Sequence, residues 1–357
     1  MKYPAWILTF CLLLQAHVLR AQEIDSTQRS LFPLPLLFWT PETEFGGGAL
    51  VSYILRNSRD TLGHPTSMSV QFIYTQNKQI SFFLGGDHYW NRGARHYSGA
   101  ISYSKFPYAF YGIGPDTPDT TEKYDPESVS IVLSGKMRVS PHLYAGLRLE
   151  WDHTKLLDAQ NGGQLASGKI RGTQAGYTSG LGATVHWDTR NDVIYPRQGS
   201  FHQASVIPFT KFFGSDFKFV RTQLDFRQYF PLFKNHVFAY QVNAVWIAGH
   251  PPFHKMALFG GPNLMRGYYE GRFRDRQFFA FQTEYRAPVW WRFGLAAFGG
   301  YGDVAHRLDE FRFKSFKYSI GWGLRFLLDK DQNLNLRIDL AYGKHSAFPA
   351  IGIGEAF

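Results

Sequence analysis

The feature that most constrains the fold is an alternation of apolar and polar residues that recurs along the chain from about residue 45. In residues 143–152 (LYAGLRLEWD) every second side chain is apolar, and the positions between them include Arg, Glu and Asp. The same pattern recurs in residues 318–328 and 334–342. A period of two places successive side chains on opposite faces of a strand. The chain is therefore predicted to be all-β.

Strand length and charge favour a membrane barrel over a soluble sandwich. The alternating segments run to about ten residues, which suits a tilted crossing of a bilayer, whereas sandwich strands have about five or six. The polar face carries too many charges for a buried core. Aromatic residues make up 17% of the chain and gather at segment ends, as at Trp90, Trp290 and Trp291, which is typical of interfacial girdles. We predict a transmembrane antiparallel β-barrel.

The N-terminus has the layout of a secretory signal peptide. Lys2 precedes an apolar run over residues 5–14, and Ala21 or, alternatively, Ala16 offers a cleavage site. We predict a signal peptide over residues 1–21. Cys11, the only cysteine, lies within it, so the exported chain is expected to have no disulfide. The later sequence has no apolar run of membrane-helix length, which excludes a helical membrane protein.

The strand pattern accounts for the rest of the chain. About sixteen strands are predicted, starting near residues 45, 67, 80, 95, 109, 126, 142, 176, 199, 216, 236, 276, 292, 316, 333 and 348. Residues 41–357 are thus assigned to the barrel and residues 22–40 to a short periplasmic lead-in. Turns such as 76–79 and 140–142 are short, and the connections near 154–174 and 248–275 are long, as on the two sides of such barrels.

One long connection carries a motif that resembles a known family. In GGPNLMRGYYEG, Arg266, Gly267 and Tyr268 resemble the Arg-Gly-aromatic motif of the BamA/TamA superfamily, also called bacterial surface antigens. The resemblance covers essentially the whole exported chain. It implies that this loop folds back from the cell surface into the barrel lumen.

A lumenal arginine needs a partner, because an unpaired buried charge is costly. Glu284 lies in the polar phase of the following strand and matches the family's acidic residue, so we predict an Arg266–Glu284 pair. The family's second acid falls at Gly300 in this sequence. Asp303 is then the expected substitute.

A second stretch, WDTRNDVIYPRQG, resembles the family's periplasmic turn between the eighth and ninth strands. The matching residues are Asp188, Arg190, Asn191, Pro196 and Gly199.

A third stretch, NLNLRIDLAYG, resembles the closing strands, and Phe357 resembles the terminal aromatic used as a barrel-assembly signal. Family assembly factors carry POTRA modules before the barrel, and this sequence shows none. The resemblance therefore implies a barrel-only member.

Glycines crowd the ends of the predicted barrel, where the first strand must meet the last. They are Gly46, Gly47, Gly48, Gly352 and Gly354. Glycine lowers strand-pairing stability. These residues are interpreted either as relieving crowding in the lumen or permitting tight curvature, or, as the family resemblance implies, as a seam that opens sideways and exposes strand edges to a client strand.

No catalytic or metal-binding set is predicted. His250 and His254 have a ligand spacing only on a helix, which the prolines between them exclude. Neighbouring pairs such as Asp87–His88 and Asp152–His153 point to opposite faces of a strand. We predict no enzyme activity, no cofactor and no metal.

The leading functional hypothesis is an assembly or translocation factor for polypeptides, or lipids, that works without ATP. A passive pore or structural surface protein is the alternative, and a barrel hydrolase is third. Expected partners are outer-membrane lipid, client polypeptides and a separate periplasmic subunit. The formal charge of +10 suggests nucleic acid, but export argues against it. The charge is assigned to the lumen or to loops that face lipopolysaccharide.

Overall fold

The computed structural model describes residues 27–40, 44–57, 64–344 and 346–357. Nearly all of them belong to antiparallel strands or to the connections between strands. The strands are β1 (Thr27–Thr40), β2 (Glu44–Asn57), β3 (Thr66–Thr75), β4 (Ile80–Trp90), β5 (Arg95–Lys105), β6 (Tyr108–Phe110), β7 (Glu122–Ser140), β8 (Leu143–Ala159), β9 (Gly176–Asp188), β10 (Gly199–Phe209), β11 (Phe219–Pro231), β12 (Val237–Gly249), β13 (Ala257–Phe259), β14 (Phe273–Asp275), β15 (Gln277–Trp290), β16 (Phe293–Ala305), β17 (Lys317–Asp329), β18 (Leu334–Gly343) and β19 (Ser346–Ile353). One-turn 3₁₀ helices lie at Lys211–Phe213, Phe233–Asn235, Phe253–Lys255, Leu308–Glu310 and Phe313–Ser315.

Sixteen long strands pair in chain order into one antiparallel sheet, while β6, β13 and β14 have three residues each. The ladder runs from β1–β2 to β18–β19, and β5 pairs directly with β7. The alternation decides which face is outside. On β17, Ile320 and Trp322 are 60% and 52% exposed, whereas Ser319 and Arg325 are buried in the lumen. An apolar outer face and a polar inner one define the predicted transmembrane barrel.

No helix in the described part of the chain is long and apolar enough to span a bilayer.

The predicted strand count agrees with the structure because two errors compensate. The strand predicted near residue 109 is only the short β6, and the lead-in prediction is wrong for residues 27–40, which form β1. Strand β1 carries no alternation, because residues 31–38 (LFPLPLLF) are apolar on both faces and include two prolines. The predicted signal peptide and residues 22–26 lie outside the described residues.

The barrel has two unlike ends. We call one end the turn rim, where short connections lie at residues 91–94, 141–142, 232–236, 291–292 and 330–333, and the other the loop rim, with connections at 106–121, 160–175 and 250–276. Because β1 precedes the predicted first strand, the short turn 76–79 lies on the loop rim, with the long loops. Turn 140–142 lies on the turn rim as expected.

The edges of the sheet are β1 and β19, and we call the boundary between them the seam. Among the described residues no ladder of paired residues joins these two strands. Three of the predicted seam glycines lie elsewhere. Gly46, Gly47 and Gly48 are on β2, paired on both sides with β1 and β3, so placing them at the seam was wrong. A Cβ on Gly48 would meet the Phe72 carbonyl oxygen at 2.0 Å, so close strand packing requires this glycine.

At the other edge the chain leaves the wall of the barrel. Gly352 pairs with Arg337 on β18, but β19 ends at Ile353, and Gly354 adopts a φ of +80° that favours glycine. The last residues turn into the lumen. Phe357 is 4% exposed and packs with Tyr229 of β11 and with Ala239 of β12. The prediction that the final strand runs on to Phe357 was therefore wrong.

Candidate functional site: a loop anchored in the lumen

The connection between β12 and β15 fills part of the lumen with an apolar core. Its hairpin, β13–β14, presents Phe259 and Phe273, and the loop tip adds Met265 and Tyr268. These side chains pack against wall residues Ile207, Phe209, Phe219, Val245, Ile247, Phe278, Ala280 and Val304. Full burial of one large apolar side chain stabilises by about 1.5–3 kcal/mol. The loop is thus a folded part of the barrel interior.

Arg266 is the most enclosed charge in this loop, with 1% of its surface exposed. Its Nη2 lies 2.6 Å from Glu284 Oε2 on β15, and its Nη1 lies 2.6 Å from Asp339 Oδ2 on β18. The guanidinium carbon lies 3.4 Å from the ring centroid of Phe298 on β16, a cation–π contact. The Arg266 carbonyl also accepts a hydrogen bond from Ser319 on β17. One loop residue is thus tied to four consecutive strands.

These contacts belong to a larger buried network of charges. Glu284 also accepts a hydrogen bond from Arg286 Nε at 2.7 Å, and Asp339 accepts one from Arg325 Nη1 at 2.6 Å. Glu355 Oε2, in the tail, accepts a hydrogen bond from Arg325 Nε at 2.8 Å and lies 3.6 Å from Arg286 Nε. The network also includes Arg337, whose Nη1 lies 3.4 Å from Asp339. Each buried carboxylate therefore has at least two arginine neighbours, which compensates the desolvation of the charges.

The two residues after Arg266 attach the tip to the last strands. Gly267 has a φ of +98°, and a Cβ there would lie 2.9 Å from the Ala341 backbone, so only glycine fits. Its carbonyl accepts a hydrogen bond from Ser346 Oγ on β19 at 2.6 Å. The Tyr268 hydroxyl donates to the Tyr318 carbonyl at 2.8 Å and accepts from the Lys344 backbone N–H at 2.7 Å. The tip therefore contacts the strand that borders the seam.

The expected substitute acid is not part of this network. Asp303 lies 2.5 Å from Lys317 Nζ, so its assignment as the second partner of Arg266 was wrong. A Cβ on Gly300 would lie 3.1 Å from Met265 Sδ, so glycine there leaves room for the loop tip. Asp339 supplies the second acid. The sequence contained a signal for it, because Asp339 occupies the polar phase of the β18 alternation.

The predicted turn motif forms one compact unit between β9 and β10, the eighth and ninth long strands. Arg190 Nη2 donates a hydrogen bond to Asp188 Oδ2 at 2.7 Å. Asn191 Oδ1 accepts hydrogen bonds from the backbone N–H groups of residues 197 and 198. The Pro196 carbonyl accepts a hydrogen bond from Arg286 at 3.4 Å. Gly199 has a φ of +95° and lies where a Cβ would be 2.1 Å from the Thr189 oxygen. The motif thus shapes the turn rim.

The other titratable pairs have partners different from those considered in the sequence. Asp87 lies 2.7 Å from His96 on β5 instead of facing His88, and Asp152 lies 3.2 Å from Lys255 and 3.7 Å from His254. Within the described residues no group of three or more His, Cys, Asp and Glu side chains could hold a metal ion.

The fold and the lumenal loop together define the class of protein, an outer-membrane β-barrel with an arginine-anchored loop inside it. The Omp85 superfamily domain matches residues 60–345, and the chain belongs to this superfamily, which confirms the resemblance found in the sequence. The described residues all belong to the barrel, its connections and its short tail. No curated protein matches the sequence.

Solved structures of similar fold cover 93% of this chain. They include BamA from Haemophilus ducreyi lacking POTRA domains 1-3 (TM-score 0.55, 14% identity, 69% of that chain covered) and CdiB from Acinetobacter baumannii (TM-score 0.55, 14% identity, 60% covered). CdiB from Escherichia coli has a TM-score of 0.56 at 9% identity, with 62% covered. The chain thus spans less than two thirds of the length of the CdiB structures. At such identities the likeness shows the fold alone.

Proposed function

We propose that the protein assists the insertion or translocation of polypeptides, or of lipids, at the outer membrane without ATP. The observation that carries the proposal is the seam, where the described parts of β1 and β19 share no backbone ladder. A strand edge that leaves its N–H and C=O groups unpaired templates an incoming strand by β-augmentation. In this mechanism the barrel lowers the barrier to insertion and makes or breaks no covalent bond. Client polypeptides, outer-membrane lipid and a separate periplasmic subunit are the proposed partners.

The lumenal loop supports this function over a passive pore. The hairpin packs against β10–β12, β15 and β16, the tip is bound to β15–β18, and the tail with Phe357 enters from the turn rim. An open channel would leave this space to water. The alternative, a passive pore or structural surface protein, therefore makes a different electrical prediction.

The intact protein should give small and unstable currents in planar bilayers. Replacing residues 257–275 with a short Gly-Ser linker should give large and steady currents, because the apolar plug is removed. A matched deletion in the 306–316 loop should leave the currents small. Large steady currents from the intact protein would favour the passive pore.

The family resemblance also supports an orientation with the loop rim outside the cell and the turn rim in the periplasm. Trypsin added to intact cells should cut after Lys169 or Arg171, which are exposed in the 160–175 loop. It should spare Arg197 in the β9–β10 turn until the cells are permeabilised. Cleavage after Arg197 in intact cells, with residues 160–175 spared, would reverse the orientation. Mass spectrometry of the fragments, which also reads the mature N-terminus, distinguishes the two results.

A further inference from the structure

Side chains connect the two sides of the seam at the turn rim. Ser30 Oγ on β1 donates to Asp329 Oδ2 at the end of β17, at 3.1 Å. Arg56, near the end of β2, donates from Nε to Gln332 Oε1 at 2.8 Å and from Nη2 to the Gln332 carbonyl at 3.3 Å. Strands β1 and β2 lie on one side of the seam, and the β17–β18 turn lies on the other. These bonds therefore cross it.

The crossing is possible because β19 is shorter than its neighbours at this rim. Strand β19 ends at Ile353, opposite Leu336, and the chain turns into the lumen at Gly354. Beyond that point the β17–β18 turn faces β1 and β2 directly. The inward tail thus leaves a gap in the wall, and Arg56 fills it.

A second turn shares the same guanidinium. Arg56 Nη2 lies 3.0 Å from Asp192 Oδ2 in the β9–β10 turn, and Asp192 also accepts a hydrogen bond from Asn333 Nδ2 at 3.0 Å. Gln332 is 0% exposed, and the Asp192 side chain is 9% exposed. An ion pair removed from water is screened less than a surface pair. We call Arg56, Asp192 and Gln332 the clasp.

The rest of the seam has no comparable connection. The described residues show no hydrogen bond or ion pair between β1 and β19. Pro33 and Pro35 on β1 and Pro349 on β19 lack a backbone N–H, which removes three donors from the two edge strands. Among the described residues the side-chain links across the seam therefore lie at the turn rim, in the clasp and in the Ser30–Asp329 hydrogen bond.

We propose that the clasp holds the seam closed at the turn rim, so that the barrel opens from the loop rim about a hinge at Arg56. This inference rests on the proposed lateral opening and adds its direction and the residue that controls it. Arg56 is a positioning residue. A client strand would then enter the seam at the loop end and pair toward the turn rim.

The test uses the full chain with Cys11→Ser in nanodiscs and two spin-labelled cysteine pairs across the seam. One pair, Leu31→Cys with Ile353→Cys, reports the turn rim, and the other, Leu37→Cys with Ala347→Cys, reports the loop rim. The clasped protein should give a narrow distance distribution at the turn rim and a broad one at the loop rim. Arg56→Gln should broaden the turn-rim distribution at least twofold. Arg56→Lys, which keeps the charge but loses the forked donors, should give an intermediate width.

Arg29→Gln is the matched control, because Arg29 lies on β1 at the same rim with an exposed side chain. It should change neither distribution. A folded, heat-modifiable Arg56→Gln protein with an unchanged turn-rim distribution would overturn the clasp, and so would equal broadening at both rims. Should Arg56→Gln not fold, Asp192→Asn removes the paired charge and keeps an acceptor for the turn. Asp192→Asn should broaden the turn-rim distribution to the same extent. An unchanged turn-rim distribution in this variant would equally overturn the proposal.

Insertion of a client barrel into liposomes, measured on the same proteins, separates this inference from the proposed function. Broadening at the turn rim in a protein that never accelerates insertion supports the clasp and contradicts the function. Insertion activity together with an unchanged turn-rim distance distribution in Arg56→Gln supports the function and contradicts the clasp.

Discussion

A disulfide across the seam between β1 and β19 should abolish the proposed activity while leaving the barrel folded. The cross-link fixes the edge strands, so their unpaired backbone groups cannot receive a client strand. A client barrel should insert into liposomes that contain the oxidised protein no faster than into liposomes that lack the protein. Reduction should restore the full rate. The assay is the appearance of folded, protease-resistant client with time.

The cysteine pair is best found by scanning residues 33–37 of β1 against residues 347–351 of β19, since a disulfide forms only where the two Cα atoms come within about 4.4–6.8 Å. Cys11 is the only native cysteine and is replaced by serine. A disulfide between β2 and β3, at Val51→Cys with Val70→Cys, is the matched control, because those residues already face each other in a ladder. Unchanged insertion by verified seam-linked protein would exclude lateral opening and favour the pore or structural alternative.

Reversing the charge of Arg266 should produce the largest loss of stability of any single substitution in the loop. Arg266→Glu would place a third carboxylate against Glu284 and Asp339, both within 2.6 Å of the native guanidinium. Breaking a buried ion pair from one side costs about 3–5 kcal/mol. We expect a corresponding fall in the urea midpoint for loss of the heat-modifiable band.

Adding Glu284→Arg to Arg266→Glu should restore only part of the loss. The swap recreates one pair, but Asp339 then faces a glutamate, and Arg286 faces an arginine. Arg307→Glu is the matched control for charge reversal, because Arg307 and its partner Asp309 are both exposed, with 66% and 68% of their side chains accessible. It should change the midpoint little. If the double swap is no better than the sum of the single changes, Arg266 and Glu284 are not coupled.

The sequence predicts the barrel well because alternation is a property of each strand by itself. Strands β17 and β18 could be assigned, with outward side chains such as Ile320, Trp322 and Tyr342, since lipid and lumen demand opposite chemistry on opposite faces. Strand β1 was missed for the same reason. Its residues 31–38 carry no alternation, and Pro33 and Pro35 suggest a non-strand segment unless the strand lies at an edge.

The network around Arg266 could be predicted only in part, because its partners are distant in sequence. Glu284 was expected from the family motif, whereas Asp339 and Glu355 depend on where β18 and the tail come to lie. The inward turn at Gly354 left no pattern in the sequence beyond the glycine itself. Contacts that cross the lumen depend on how the strands are arranged around the barrel. The alternation within a single strand carries no information about that arrangement.

The apolar core beneath the loop has a consequence for the order in which the chain folds. All of its residues lie between Ile207 and Val304, so the loop and its supporting strands are close together in sequence. Contacts of short sequence separation cost little chain entropy and form early. Strands β17–β19 can then pack against the folded loop, which Asp339 and Ser346 contact at Arg266 and Gly267. The junction of β1 with β19 joins the most distant parts of the described chain, so it carries the largest entropy of closure, and we expect it to be the last contact to form.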